Sequence, residues 1–248
     1  MSNNDIWFTD SKNKRVLVFK IPDIGGNEIK LPYTPFDITP IGDIQVAISA
    51  PYEKSIVLYN ANTQRQNDKF TFENAEGDLG AISYFDDKFI IRLEDFGYYV
   101  LSTKGDLLAK IPKTGTSVPY VTISKDKFYF TQWNVSKVLC CTHSGRTDWE
   151  FDAKHILDPP NGLSADENGN VYITGTYSNN VVLLASSGEE HREILSQKDN
   201  PVKEPRAIAY NASTKRLLIT NESGHFVVYA VKRREIYNRK KYPMTMRK

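Results

Sequence analysis

Pro160-Asn161-Gly162-Leu163-Ser164-Ala165-Asp166-Glu167-Asn168-Gly169-Asn170-Val171-Tyr172-Ile173-Thr174 is followed by Asn180-Val181-Val182-Leu183-Leu184-Ala185-Ser186-Ser187-Gly188-Glu189. The stretch reads as strand, turn, strand, loop, strand, turn. Apolar β-branched and aromatic residues fill the strands, and Asp, Asn, Gly and Ser fill the turns. The same plan recurs along the chain. Its second strand is the easiest to follow: Ile6-Trp7-Phe8-Thr9, Ile44 to Ile48, Phe89 to Leu93, Phe128 to Thr131, Val171 to Thr174 and Leu217 to Thr220. Several of these runs close on Thr at the same place. Their starts lie about 38 to 46 residues apart, the spacing of blades in a β-propeller.

A third strand follows each second strand after a polar loop: Arg15 to Phe19, Ser55 to Tyr59, Tyr98 to Leu101, Lys137 to Cys141, Asn180 to Leu184 and Phe226 to Tyr229. These runs are apolar almost throughout, as strands buried on both faces are. More polar outer strands come next, over Asn27 to Leu31, Lys69 to Phe72, Leu108 to Ile111, Thr147 to Phe151 and His191 to Leu195. Arg234 to Tyr237 is a weaker sixth. Inner strands begin near Phe36, Gly80, Tyr120, Gly162 and Arg206. The expectation is an all-β, six-bladed propeller of four-stranded antiparallel blades, the first lacking its inner strand. The blades run over about 5–31, 32–72, 73–115, 116–155, 156–199 and 200–239 within a single propeller domain over 1–248. Residues after Tyr237, or a segment upstream of Met1 in a longer parent, would fill the gap. No helical apolar period persists, so almost no helix is expected.

The chain of 248 residues has a net charge of +2. Lys232 to Lys248 holds eight Lys or Arg against one Glu, a net of +7, which leaves −5 on the rest. The basic character therefore belongs to the tail 232–248, and the mildly acidic body offers no overall phosphate-reading charge. No apolar run reaches the length of a membrane span, and the polar start Met1 to Asp5 does not read as a signal peptide. The only cysteines, Cys140 and Cys141, are neighbours on a buried strand and point to opposite faces. They read as small core residues of a reducing compartment, so a cytoplasmic location is expected.

Pro160 to Glu189 resembles the NHL repeat in its Pro-x-Gly opening, its Asp-x-x-Gly-Asn-Val-Tyr turn and strand, and its paired Asn before the next strand. Glu204 to Gly224 looks like the following copy. Tyr172-Ile173-Thr174-Gly175 with Ser178-Asn179-Asn180 is similar to the C-terminal propellers of tripartite-motif proteins. The likeness covers about residues 156–231 and falls to a bare strand pattern over 5–155. It implies a non-catalytic binding module for protein or, second, RNA, which selects the target of a ubiquitin ligase. The RING that carries transfer in that family is absent, since two Cys and four His cannot build one. Oligomeric state would then be set by regions outside this sequence.

A second reading is a calcium-dependent lactonase of the gluconolactonase type, whose propellers hold the ion on the axis. Asn161 resembles one of their ligands and Asp37 offers another, with Glu76 or Asp78 nearby. A hard cation needs about six converging oxygens, whereas Tyr120 and Arg206 occupy other inner-strand starts. Asn161-Gly162 also reads as a turn that uses tolerance of positive φ. No catalytic residue, cofactor motif or phosphate loop stands out among the histidines and glycines.

The loops that enter inner strands and those that join second to third strands share one end of a propeller. Here they carry Tyr33, Tyr52, Phe96, Trp133, Tyr177, Arg206 and His225. Aromatic and Arg residues on exposed loops are typical binding anchors. Trp133 between Gln132 and Asn134 is the leading candidate, and a protein partner is the leading expectation.

Overall fold

The computed structural model describes residues 5–20, 26–73, 75, 77–94, 96–112, 120–125, 127–198, 201–221 and 223–231. Six antiparallel sheets follow one another along the chain, and no helix occurs among the described residues. The first contains β1 (Asp5–Asp10), β2 (Arg15–Lys20) and β3 (Gly26–Lys30). The second contains β4 (Ile38–Ile41), β5 (Gln45–Ala50), β6 (Ser55–Asn60) and β7 (Arg65–Thr71). The third contains β8 (Leu79–Phe85), β9 (Lys88–Leu93), β10 (Gly97–Ser102) and β11 (Leu107–Pro112). β12 (Val121–Ser124), β13 (Lys127–Gln132), β14 (Lys137–Thr142) and β15 (Thr147–Asp152) form the fourth. β16 (Pro160–Ala165), β17 (Val171–Gly175), β18 (Asn180–Leu184) and β19 (His191–Leu195) form the fifth. The last contains β20 (Ala207–Asn211), β21 (Arg216–Thr220) and β22 (Phe226–Ala230). This is the all-β, six-bladed propeller class, with three strands in the first blade. The candidate outer strand Arg234–Tyr237 and the basic tail lie outside the described residues.

The chain divides within the fourth sheet into two compact units. The first holds Met1–Phe130 and Cys140–Asp148, the second Thr131–Leu139 and Trp149–Lys248. In the first unit, Val46, Ile48 and Val57 pack with Val16 and Val18, while Ala47 and Ile56 pack with Phe89, Ile91 and Leu101. Adjacent residues of β5 and β6 thus enter opposite cores, which is why their sequence is apolar without alternation. In the second unit Tyr172, Val181, Ile208, Leu217 and Ile219 form a buried cluster.

Hydroxyls stitch several inner strands to the next blade. The Thr that ends a second strand donates to the carbonyl where the following inner strand starts: Thr9 to Phe36, Thr131 to Asn161 and Thr174 to Arg206, at 2.8 to 3.0 Å. A hydroxyl within an inner strand accepts an N–H from its neighbour: Thr39 from Tyr84, Ser83 from Ile123 and Ser164 from Tyr210, at 3.0 to 3.2 Å. The recurrent Thr therefore satisfies backbone groups that the antiparallel ladder leaves over.

Candidate functional site

The Tyr177 turn joins β17 to β18 in the second unit. Its backbone is held from both sides. Asn179, at φ 52°, donates from Nδ2 to the Tyr177 carbonyl at 3.0 Å, and its Oδ1 accepts the Glu204 N–H at 2.7 Å. Ser178 Oγ donates to Asn180 Oδ1 at 2.7 Å and accepts the Asp158 N–H at 3.0 Å. Asn180 Nδ2 donates to the Ile156 carbonyl at 2.8 Å and to Glu193 Oε1 at 3.0 Å. On this fixed turn the Tyr177 side chain is left outside, and the residue is 61% exposed. A rigid aromatic on an immobile backbone loses little entropy when it is covered.

Arg206 and His225 belong to loops tied to the same turn. The 203–204 segment links them, because Glu204 bonds Asn179 while the Lys203 carbonyl accepts Asn221 Nδ2 at 2.8 Å. Asn221 Oδ1 in turn accepts the N–H of exposed His225 at 3.0 Å. Arg206 is half-buried. Its carbonyl accepts Gly162 N–H at 2.8 Å and Thr174 Oγ1 at 3.0 Å, and its own N–H reaches the Thr220 carbonyl. Trp133, on the β13–β14 turn of the same unit, is 47% exposed and stands beside exposed Val135. Sequence reasoning passed over Val135, whose signal was an apolar residue in a polar turn.

The first unit repeats the pattern. Tyr52, on the β5–β6 turn, is 74% exposed, and Phe96, on the β9–β10 turn, is also exposed. Lys54 Nζ fixes the Tyr52 turn by donating to the Ala75 carbonyl at 2.8 Å. Phe36, just before β4, is exposed at the same end and was missed, although it opened a recognised inner strand. Tyr33 is a correction. It is only 5% exposed, packs with Trp7 and Tyr59, and donates its hydroxyl to Tyr59 Oη at 3.3 Å. Burial pushes its phenol pKa well up, so it serves the core and not a loop surface.

The candidate cation ligands Asp37 and Asn161 take part in hydrogen bonds of the fold. Asp37 Oδ1 accepts the Ile38 N–H at 2.8 Å and Oδ2 the Ile82 N–H at 3.0 Å. Burial raises its pKa to about 6 even against those donors. Asn161 is buried, and its Nδ2 donates to Thr176 Oγ1 at 3.0 Å. Arg92 lies over Gly80, where a Cβ would meet its Nη1 at 3.1 Å. Glu76 lies outside the described residues, and no group of three or more His, Cys, Asp or Glu suited to a metal occurs among the described ones. These residues do not fit an oxygen cage for calcium. Asn161-Gly162 is not a turn either. It forms a bulge inside β16, and Gly162 is needed because a Cβ would stand 2.1 Å from the Arg206 carbonyl oxygen. Cys140 and Cys141 are free and fully buried, with the Cys140 thiol pushed up to about 12 by burial.

A β-propeller repeat family model matches residues 154–180, which span the approach to β16, its Asp166 turn, β17 and the Tyr177 turn. No curated protein matches the sequence. Among solved structures, a streptogramin B lyase is similar at 14% identity over 94% of this chain and 82% of its own, with a TM-score of 0.66. Regucalcin, a calcium-binding protein from Agrobacterium tumefaciens, is similar at 15% identity over 90% of this chain and 80% of its own, with a TM-score of 0.68. A chain of the nidogen/laminin complex is similar at 12% identity over 91% and 89%, with a TM-score of 0.70. At such identities the likeness concerns the fold alone. The fold is thus shared with a lyase, a calcium-binding protein and a chain of the nidogen/laminin complex. No helix among the described residues is long and apolar enough to cross a membrane.

Proposed function

We propose that this chain is a non-catalytic binding propeller that recognises a protein partner through the hairpins joining second to third strands. One observation carries the reading. In each unit, exposed large apolar residues gather at that end of the sheets: Phe36, Tyr52 and Phe96 in the first, Trp133, Val135 and Tyr177 in the second. At the opposite end, among the described residues, the exposed large apolar ones are Ile44 and the Leu107–Leu108 pair that opens β11. Exposed apolar clusters set on rigid turns are what interface anchors require. Arg206 and His225 supply polar contacts beside Tyr177. The NHL-like stretch Pro160 to Glu189 favours a finer role, target recognition for a tripartite-motif ubiquitin ligase whose transfer chemistry lies in other domains. RNA ranks second, because the chain outside the tail is net acidic.

The test uses the full chain and a W133A/Y177A variant matched in thermal stability. Both serve as baits in extract with and without RNase treatment, with cross-linking and quantitative mass spectrometry. A protein captured by the wild type and depleted about tenfold or more with the variant is expected. Unchanged capture by the variant would overturn the reading. Capture that disappears with RNase would transfer the site to RNA.

A further inference from the structure

The hairpin end of the second and third sheets forms one connected surface inside the first unit, centred on the segment 72–78 between β7 and β8. On one side this segment is bonded to the Tyr52 turn. The Lys54 carbonyl accepts the Phe72 N–H at 2.8 Å, and the Lys54 ammonium donates to the Ala75 carbonyl at 2.8 Å. On the other side the Asp78 carbonyl accepts the Glu94 N–H at 3.0 Å. The Phe96 ring rests on Gly77, where a Cβ would meet its Cδ2 at 3.1 Å. Tyr52 and Phe96, both exposed, thus stand on either side of one braced segment.

The charge around these rings is mostly negative. Segments 51–54, 72–78 and 94–96 hold six acids against one cation, Lys54; of the acids, Glu76 and Asp95 lie outside the described residues. Two further cations border the surface, Arg92 over Gly80 and Lys110 at 5.2 Å from the centre of the Tyr99 ring. Six acids against three cations still leave an excess of negative charge. The excess is local. The turn 11–14 of the first sheet holds Lys12 and Lys14, and 113–120 holds Lys113. In the second unit, four acids match four Lys or Arg over the corresponding segments 133–136, 153–159, 176–179, 196–206 and 221–225. Glu73 and Glu94 are exposed, and Glu53 Oε2 is a buried oxygen that accepts no hydrogen bond among the described residues. Such an oxygen gains most from a cation supplied by a partner.

We propose that this surface takes a basic segment of the protein partner. Its Arg or Lys stems lie over Tyr52 and Phe96, and their charges meet Glu53, Glu73 and Glu94. The rings supply contact area and attract the cations through their faces, and the acids select the sign of the segment. An acidic segment is repelled at the same place. The inference rests on the hairpin end being a recognition surface and adds the charge that this part of it selects.

Fluorescence anisotropy with the full chain at low ionic strength tests this, using the labelled peptide Arg-Gly-Leu-Arg-Gly-Leu-Arg and its counterpart with Glu in place of every Arg. The Arg peptide is expected to bind about tenfold or more tightly than the Glu peptide. E53Q/E73Q/E94Q should weaken the Arg peptide about tenfold, and Tyr52→Ala about threefold, both at unchanged thermal stability. D68N/E189Q/E190Q removes as many charges from exposed acids elsewhere and should change its affinity by less than about twofold. Equal affinity for both peptides, no binding of either, or equal weakening by the two triple variants would overturn the inference. So would a concentration-dependent dimer that E53Q/E73Q/E94Q dissolves, since the basic tail of a second copy would then own the surface. Partner capture that depends on Trp133 and Tyr177 is read independently of these peptides, so the two claims fail separately.

Discussion

The two ends of the fifth sheet solve different problems with side-chain hydrogen bonds to their turns. At one end, Asp166 Oδ1 accepts N–H groups from Asn168 and Asn170 at 2.8 and 2.9 Å, and Oδ2 accepts Asn170 Nδ2 at 2.9 Å. Asn170 Oδ1 then takes the Ser186 N–H at 3.3 Å, which ties two turns together, while Gly169 supplies a φ of 83°. These polar groups are spent on reversing the chain. At the other end, Ser178, Asn179 and Asn180 fix a turn just as firmly, yet leave the Tyr177 ring in solvent. Turn chemistry does not require that ring. An exposed aromatic on a braced turn is what the proposed contact surface requires.

Substitutions at the two ends should separate these roles. The largest effect on stability is expected from Gly162→Ala, which drives a Cβ into the Arg206 carbonyl at 2.1 Å. A loss of about 3 kcal/mol or more is expected in chemical denaturation. Gly80→Ala, in the matching bulge of the third sheet, meets the movable end of Arg92 at 3.1 Å and should cost under about 1 kcal/mol. Equal losses would show that the close backbone approach is not what the glycine provides.

Asp37 comes next. Its pKa is raised from 3.8 to about 6, so its contribution to stability is complete below the lower value and is lost as pH rises through the higher. Between about pH 4 and pH 7 the wild type should lose on the order of 2 kcal/mol relative to Asp37→Asn. Parallel melting curves of the two proteins over that range would contradict the assignment. Asp166→Ala removes three accepted hydrogen bonds at the polar end of the fifth sheet and should cost about 1–2 kcal/mol. Tyr177→Ala should change stability by less than about 0.5 kcal/mol while weakening partner capture. A destabilisation as large as that of Asp166→Ala would mean that the ring belongs to the fold.

Strand order, the three strands described in the first blade and the two-sided burial of β5 and β6 were legible because they are written as runs and periods. The Thr at the ends of second strands was visible as a repeat, but its bond to the next blade was not. That bond depends on which inner strand lies beside Thr131 or Thr174 in space. Asn161-Gly162 misled for a similar reason. A glycine required by a close backbone approach and one required by positive φ look alike in sequence. Tyr33 looked like a loop aromatic because it follows an outer strand, yet a partner for its hydroxyl, Tyr59, lies 26 residues away and draws it inside.

The most direct measurement replaces residue 177, and in a second protein residue 168 at the other end of the same sheet, with the photoreactive p-benzoylphenylalanine. Both positions are exposed. Irradiation in cells should yield a discrete protein adduct from position 177 and none from position 168. Adducts from position 168 alone, or the same adducts from both, would contradict the claim that the hairpin end is the recognition surface.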